Sequence, residues 1–148
     1  MNKAVKSIVD DCRLVKLPRI HNRAGNITSL NEADEIPFPI KRIYYLYDVP
    51  GGEARGGHAH KLLQQYLVAA SGSFDVVISD GLNKKKISLN RPDAALHIVP
   101  GIWREIENFS SGSICLVIAS EKYEEADYIR NHDEFLKFKN KKTFSRQT

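Results

Sequence analysis

Cysteine is scarce in this chain. Only Cys12 and Cys115 occur, far from any C-x-x-C spacing, so neither a thiolate metal site nor a disulfide framework is indicated. Cys115 lies in the apolar run Ile114-Cys115-Leu116-Val117-Ile118 and reads as a small core residue. Long apolar runs are missing too. None approaches the roughly 20 residues that cross a bilayer, and Met1 to Asp11 lacks the apolar stretch of a secretory signal. No membrane association is expected, and the expected compartment is the cytoplasm. Net charge is small: 22 basic against 18 acidic residues leave +4. Part of that excess is local, in Lys84-Lys85-Lys86 and between Lys137 and Lys142, which read as solvated segments. No recognition-helix pattern or aromatic RNA motif accompanies the charge, so no nucleic-acid partner is expected. A mildly basic pocket for a phosphate-bearing small molecule fits it better.

Helical periodicity is nearly absent as well. Short apolar or alternating runs predict strands at residues 42–49, 65–70, 74–79, 86–89, 96–99 and 114–120. Pro50-Gly51-Gly52, Ser71-Gly72-Ser73, Asp80-Gly81 and Pro100-Gly101 supply the turns. Strands recurring every eight to twelve residues indicate an all-β sandwich or barrel. With 148 residues, no repeat and no linker, residues 1–148 are expected to form one domain. The polar segment from Arg19 to Thr28 reads as a loop. Residues 121–130 and 133–139 suggest short helical turns, and residues 141–148 a flexible tail.

What is present in strength is one stretch, Gly52-Glu53-Ala54-Arg55-Gly56-Gly57-His58-Ala59-His60-Lys61. Alternate residues of a strand share a face, so His58 and His60 project side by side. Paired imidazoles hold a metal or move protons. The spacing resembles the first cupin motif, with Gly52, His58, His60 and Gly72 in register and Gln65 at the glutamate position. Pro100-Gly101 followed by Arg104 and Asn108 resembles a degenerate second motif in which arginine replaces the third histidine. The substitutions disfavour a metal. A guanidinium offers no lone pair, and two positive centres about 4 Å apart repel by several kcal/mol even at an effective dielectric near 20. No metal and no organic cofactor are therefore expected, and the free imidazoles suit acid–base work. His97 reads as structural, Lys61 as a surface residue, and His21 and His132 carry no assigned role.

Taken with Pro37 to Tyr45, Trp103, Asn108-Phe109-Ser110, Ala119-Ser120 and Asp127-Tyr128-Ile129-Arg130, this stretch resembles the sugar 3,4-ketoisomerases that act on dTDP-4-keto-6-deoxyglucose in bacterial surface-polysaccharide pathways. The resemblance runs from about Arg23 to Phe138 and departs from the family at Arg23-Ala24-Gly25-Asn26, which carries an inserted residue. It implies an all-β cupin jelly roll with short C-terminal helical turns, a homodimer, and conversion of a 4-keto to a 3-keto sugar feeding a 3-amino sugar. By the same resemblance His58 is the main base and His60 its partner in proton shuttling, with a histidine pKa near its ordinary value. Arg55 is expected to bind the diphosphate. Tyr44, Gln65, Trp103 and Arg104 are the remaining candidate substrate contacts. A dTDP-keto-sugar epimerase, a non-catalytic sugar-nucleotide binding module and a metal-dependent cupin are the rival readings.

Overall fold

The computed structural model describes residues 2–141. Ten strands form two antiparallel five-stranded sheets. The first sheet has the order β1 (Arg13–Lys16), β9 (Ala94–Ile98), β6 (Gln65–Ser71), β11 (Ile114–Ala119), β4 (Arg42–Leu46). The second runs β12 (Tyr128–Ile129), β5 (Arg55–His60), β10 (Trp103–Glu107), β7 (Phe74–Ser79), β8 (Lys84–Leu89). A small hairpin, β2 (Ile20–Asn22) with β3 (Gly25–Ile27), stands apart from both. The all-β jelly roll expected from the sequence is the observed architecture.

Alternation decides which side chains fill the space between the sheets. Leu67, Ala69, Cys115 and Val117 from the first sheet meet Phe74, Val76, Ile78 and Ile106 from the second in one buried cluster. The larger of them, such as Leu67, Phe74 and Ile78, each contribute about 1.5–3 kcal/mol on leaving water. The opposite face of β6 carries Tyr66 and Val68, which are covered by Ile36 and Phe38 of the segment preceding β4. The lysines of β8 lie exposed on an edge strand, where charge discourages pairing with another chain.

The outer face of the second sheet is closed by α2 (His132–Phe138). Asn131 caps it by accepting from the Glu134 amide at 3.0 Å, and Asp133 and Glu134 favour its positive end. Phe135 and Leu136 then pack against Ala59, Trp103 and Ile129. Just beyond, buried Lys139 donates to Ala4 O, Ser7 O and Ser7 Oγ at 2.7–2.8 Å, tying this end of the chain to α1 (Lys3–Lys6) and the residue that ends it. The Pro100-Gly101 turn is wedged beside α1. Gly101 has φ +81°, and a Cβ there would sit 1.9 Å from the Ala4 carbonyl oxygen. Its amide donates to His60 O at 2.7 Å, so this turn holds the end of β5 in place.

Several elements differ from the sequence expectation. Residues 19–28, read as a loop, contain the β2–β3 hairpin, whose residues are all exposed and so carry no inside–outside alternation. Residues 121–130 hold only a 3-10 turn at Glu125–Asp127. Tyr128–Ile129 pairs with His60 and Ala59 as β12 instead of extending a helix. Strand β10 was hidden because its sequence, Trp-Arg-Glu-Ile-Glu, puts a charge at a buried position. Apart from Lys141, the tail expected at 141–148 lies outside the described residues.

Candidate active site

A cavity of about 510 Å³ opens between the two sheets, a size suited to a small organic ligand. Strand β5 builds one wall. Its pairing with β10 sets Arg104 opposite His58 but Ile106 opposite Arg55, so β5 carries one extra residue between the two. That bulge falls at Gly56, with φ +84°, a conformation glycine adopts without strain. Residues three apart on a regular strand face opposite sides. The bulge brings both Arg55 and His58 to the same cavity.

His60 lies one alternation further along the same face, 1% exposed, beneath His58. The two Nε2 atoms are 3.1 Å apart, with the rings nearly perpendicular at 87°. Nδ1 of His60 lies 3.3 Å from Asp127 Oδ2. The angle there is poor for a hydrogen bond, and no other acceptor reaches that buried nitrogen among the described residues. Asp127 is itself fixed, accepting from the amides of Leu62 at 2.7 Å and Leu63 at 3.1 Å. The Tyr128 ring packs against both imidazoles, with centroids 5.0 Å from His58 and 4.3 Å from His60.

Electrostatics keep this pair neutral. Burial, then the Arg104 and Arg130 charges, bring the His58 pKa down to about 3. Burial and Arg104 also lower His60, with His58 and the Arg130 and Arg42 guanidiniums adding to the effect. The expectation of a histidine near its ordinary pKa is thus corrected. A spacing of residues shows that two rings share a face, but it does not show a buried arginine behind them. Arg104 is 1% exposed; its Nη1 donates to Gln65 Oε1, and Nε and Nη2 reach Ile102 O at 3.3 and 3.2 Å. Burial lowers its pKa only to about 10, so it stays charged at neutral pH. Tyr44, whose hydroxyl lies 3.5 Å from Gln65 Nε2, is raised chiefly by burial and stays protonated.

Cupin metal centres would use the positions of His58, His60, Gln65 and Arg104, and these residues do not fit a divalent cation. The imidazole nitrogens address each other, the amide oxygen is taken by Arg104, and the fourth position is itself a buried cation. Among the described residues no group of three or more His, Cys, Asp or Glu side chains is arranged to hold a metal.

Of the residues singled out from sequence, Tyr44, Arg55, His58, Gln65 and Arg104 line the cavity, and His60 sits directly below it. Trp103 does not join them. It neighbours Arg104 on β10 and must face the other way, where it packs between His132 and Phe135 with centroids 5.0 and 5.6 Å away. Its placement as a pocket contact is corrected accordingly. His97 Nε2 donates to Gln64 Oε1 at 2.8 Å in the outer layer, away from the cavity. Sequence reasoning assigned no role to Arg42, Tyr128 and Arg130, which also line the cavity. Arg42 stands 4.3 Å over the Tyr44 ring and Arg130 4.2 Å over Tyr128. Strand alternation from Tyr44 to Arg42 was available as a signal for the first. Nothing in the sequence marks β12 as a strand, so for the other two the signal is only their place in the family-like motif Asp127-Tyr128-Ile129-Arg130.

The lining therefore contains Arg42, Arg55, Arg104 and Arg130 and no carboxylate. A jelly roll whose cavity is lined by four guanidiniums above an imidazole pair has the architecture of a cupin without a cupin's metal-ligand set. A family model for FdtA, described as WxcM-like, C-terminal, matches residues 10–140. The chain is 40% identical over 126 residues to the TDP-4-oxo-6-deoxy-alpha-D-glucose-3,4-oxoisomerase of Aneurinibacillus thermoaerophilus, covering 85% of this chain and 91% of that one. It superposes with a TM-score of 0.84 on the WlaRB TDP-quinovose 3,4-ketoisomerase of Campylobacter jejuni, at 46% identity over 87% of this chain and 99% of the other. QdtA, a sugar 3,4-ketoisomerase of Thermoanaerobacterium thermosaccharolyticum solved with TDP, matches with a TM-score of 0.88 and 38% identity over 90% and 97%. The chain belongs to the FdtA family of sugar 3,4-ketoisomerases.

Proposed function

We propose that this protein converts dTDP-4-keto-6-deoxyglucose to its 3-keto isomer by moving a proton between C3 and C4. The observation that carries the reading is the neutral imidazole pair beneath a cavity whose lining holds guanidiniums and no carboxylate. The relatives' names supply the substrate class. The diphosphate bridges the exposed Arg55 and Arg130 with charge-assisted hydrogen bonds, and Arg42, whose buried Nη1 has no partner among the described residues, adds a third donor. The C4 ketone acidifies C3–H. His58 removes that proton, the hydroxyl proton passes from O3 to O4, and C4 is reprotonated, leaving the ketone at C3. His60 exchanges a proton with His58, and the protonated Tyr44 phenol serves the oxygens. Acid–base steps of this kind each contribute about 10²–10⁴-fold. Gln65 and Arg104 position the sugar and the imidazoles.

Identity of 46% to the TDP-quinovose enzyme, against 33% to the WlaRA TDP-fucose-3,4-ketoisomerase of Campylobacter jejuni, supports gluco configuration at C4 of the product, set by the face on which C4 receives its proton. We place the reaction in the cytoplasm, upstream of a 3-aminotransferase in surface-glycan synthesis. A homodimer accounts for the apolar side chains left exposed on the hairpin, Ile20 and Ile27, and on edge strand β4, Ile43 and Tyr45. Light scattering on the purified protein tests that assembly. The chemistry is tested by product NMR after reaction in D₂O. Deuterium at C4 with the ketone moved to C3 is expected, and product made in H₂O should show a large H4–H5 diaxial coupling. Deuterium at C5 with the ketone unmoved would make the protein an epimerase and end the proposal.

A further inference from the structure

The chain Asp127–His60–His58 has a direction. Between two neutral imidazoles whose Nε2 atoms lie 3.1 Å apart, one nitrogen donates and the other accepts. Which one is decided at the far side of His60. Its Nδ1 is buried, and the Asp127 carboxylate at 3.3 Å is the group that faces it. If Nδ1 held a bare lone pair, that lone pair would be pressed against carboxylate oxygens already anchored by the Leu62 and Leu63 amides. A proton on Nδ1 turns the repulsion into attraction, and a small ring rotation aligns it. Catalytic hydrogen bonds are commonly long or misaligned before substrate binds. The guanidiniums of Arg104, Arg130 and Arg42 offer no acceptor, and no other acceptor reaches His60 Nδ1 among the described residues.

We propose that Asp127 is the positioning residue of the site: it holds the proton of His60 on Nδ1, so that His60 Nε2 is a standing acceptor for the Nε2 proton of His58. The proposal rests on His58 and His60 being the proton-transfer pair. Its consequence for that reaction is that His60 can take a proton from the far side of His58 as His58 receives one from the sugar carbon. Atoms balance: one proton enters the pair from C3, one moves from His58 Nε2 to His60 Nε2, and both transfers reverse when C4 is protonated. The extra positive charge resides on His60, beside the Asp127 carboxylate. Asp127 never touches substrate.

The test is the tautomer itself. In the full-length protein labelled with 15N-histidine, long-range 1H–15N correlation should show His60 protonated at Nδ1 and bare at Nε2. In Asp127→Asn the amide NH₂ can face Nδ1, and the proton should move to Nε2, reversing the bond to His58. The same variant should lose about 10²–10⁴-fold in kcat with KM changed no more than about threefold, and Asp127→Glu should recover part of the loss. A wild-type His60 carrying its proton on Nε2 overturns the proposal. So does an Asn variant that keeps the wild-type tautomer, keeps full kcat, or loses activity through KM alone. Should the Asn variant fail to fold for want of the Leu63 bond, the wild-type tautomer alone decides. Because the NMR readout needs no turnover, it stands even if the ketoisomerase reading fails.

Discussion

Replacing Arg104 by methionine should raise the pKa of His58 and move the acid limb of the reaction with it. Arg104 and His58 are directly paired across β10 and β5, which puts their Cβ atoms about 4.5–5.5 Å apart. At an effective dielectric near 20, a unit charge at that distance opposes protonation of His58 by about 3 kcal/mol, or roughly 2 pH units. Burial remains the larger cause, so His58 should rise from about 3 towards 5 without reaching the ordinary histidine value. Methionine fills a similar unbranched volume, but Gln65 Oε1 and Ile102 O then lack their donor. Their loss costs about 2–4 kcal/mol of stability, so the variant must be shown folded before kinetics are compared. The assay is the pH dependence of kcat/KM with the 4-keto substrate, alongside NMR titration of the His58 Cε1 proton. An acid limb and a titration midpoint both unmoved in a folded variant would refute the claim that a buried guanidinium keeps the pair neutral.

The remaining predictions concern binding, acid and the backbone. Arg55→Gln should raise KM by about 10–100-fold and leave kcat nearly unchanged, because the guanidinium grips a group far from the reacting carbons. For stability, the sign follows from the lowered His58 value: the unfolded chain binds a proton from about pH 6.5 downward, and the folded one only near 3. Stability is therefore complete above pH 6.5 and drains away as pH falls towards 3. Urea midpoints should show a loss of up to about 3 kcal/mol from this residue by pH 4.5, and His58→Gln should flatten the dependence. Gly101→Ala should lower stability by about 3 kcal/mol or more, a fall of about 10 °C in Tm, since the added methyl meets the Ala4 carbonyl at a positive φ.

How much of this could be read from sequence depended on whether the information lay in alternation. Phe74–Ser79 was legible to the residue because one face is buried and the other is not. His58 and His60 were legible as a pair for the same reason. Arg55 lines the cavity, yet strict alternation would turn it away. Only the extra residue at Gly56, visible in the pairing of β5 with β10, brings it round. Trp103 failed by the same rule: a strand that aims Arg104 inward cannot aim its neighbour there too. The Asp127 carboxylate was beyond reach of any such rule. It arrives through a 3-10 turn and two residues of β12, contacts set by tertiary packing across more than sixty residues of chain.

Those last contacts also explain why the site tolerates so unusual a floor. Two imidazoles and a guanidinium packed together would repel if every ring were charged. Burial and Arg104 suppress protonation of the rings, and Gln65 absorbs the arginine's donor instead of a carboxylate. A carboxylate in the place of Gln65 would neutralise Arg104 and let His58 hold a proton at rest, removing the free base. Gln65→Glu should therefore raise the His58 pKa and weaken the pH-independent rate, although it restores the residue type a metal-binding cupin uses at this position. If Gln65→Glu instead gains a stoichiometric divalent metal, seen by elemental analysis, then Arg104 is a weaker barrier to cation binding than its burial implies. Unchanged kinetics and no metal would place Gln65 outside the electrostatics of the imidazole pair.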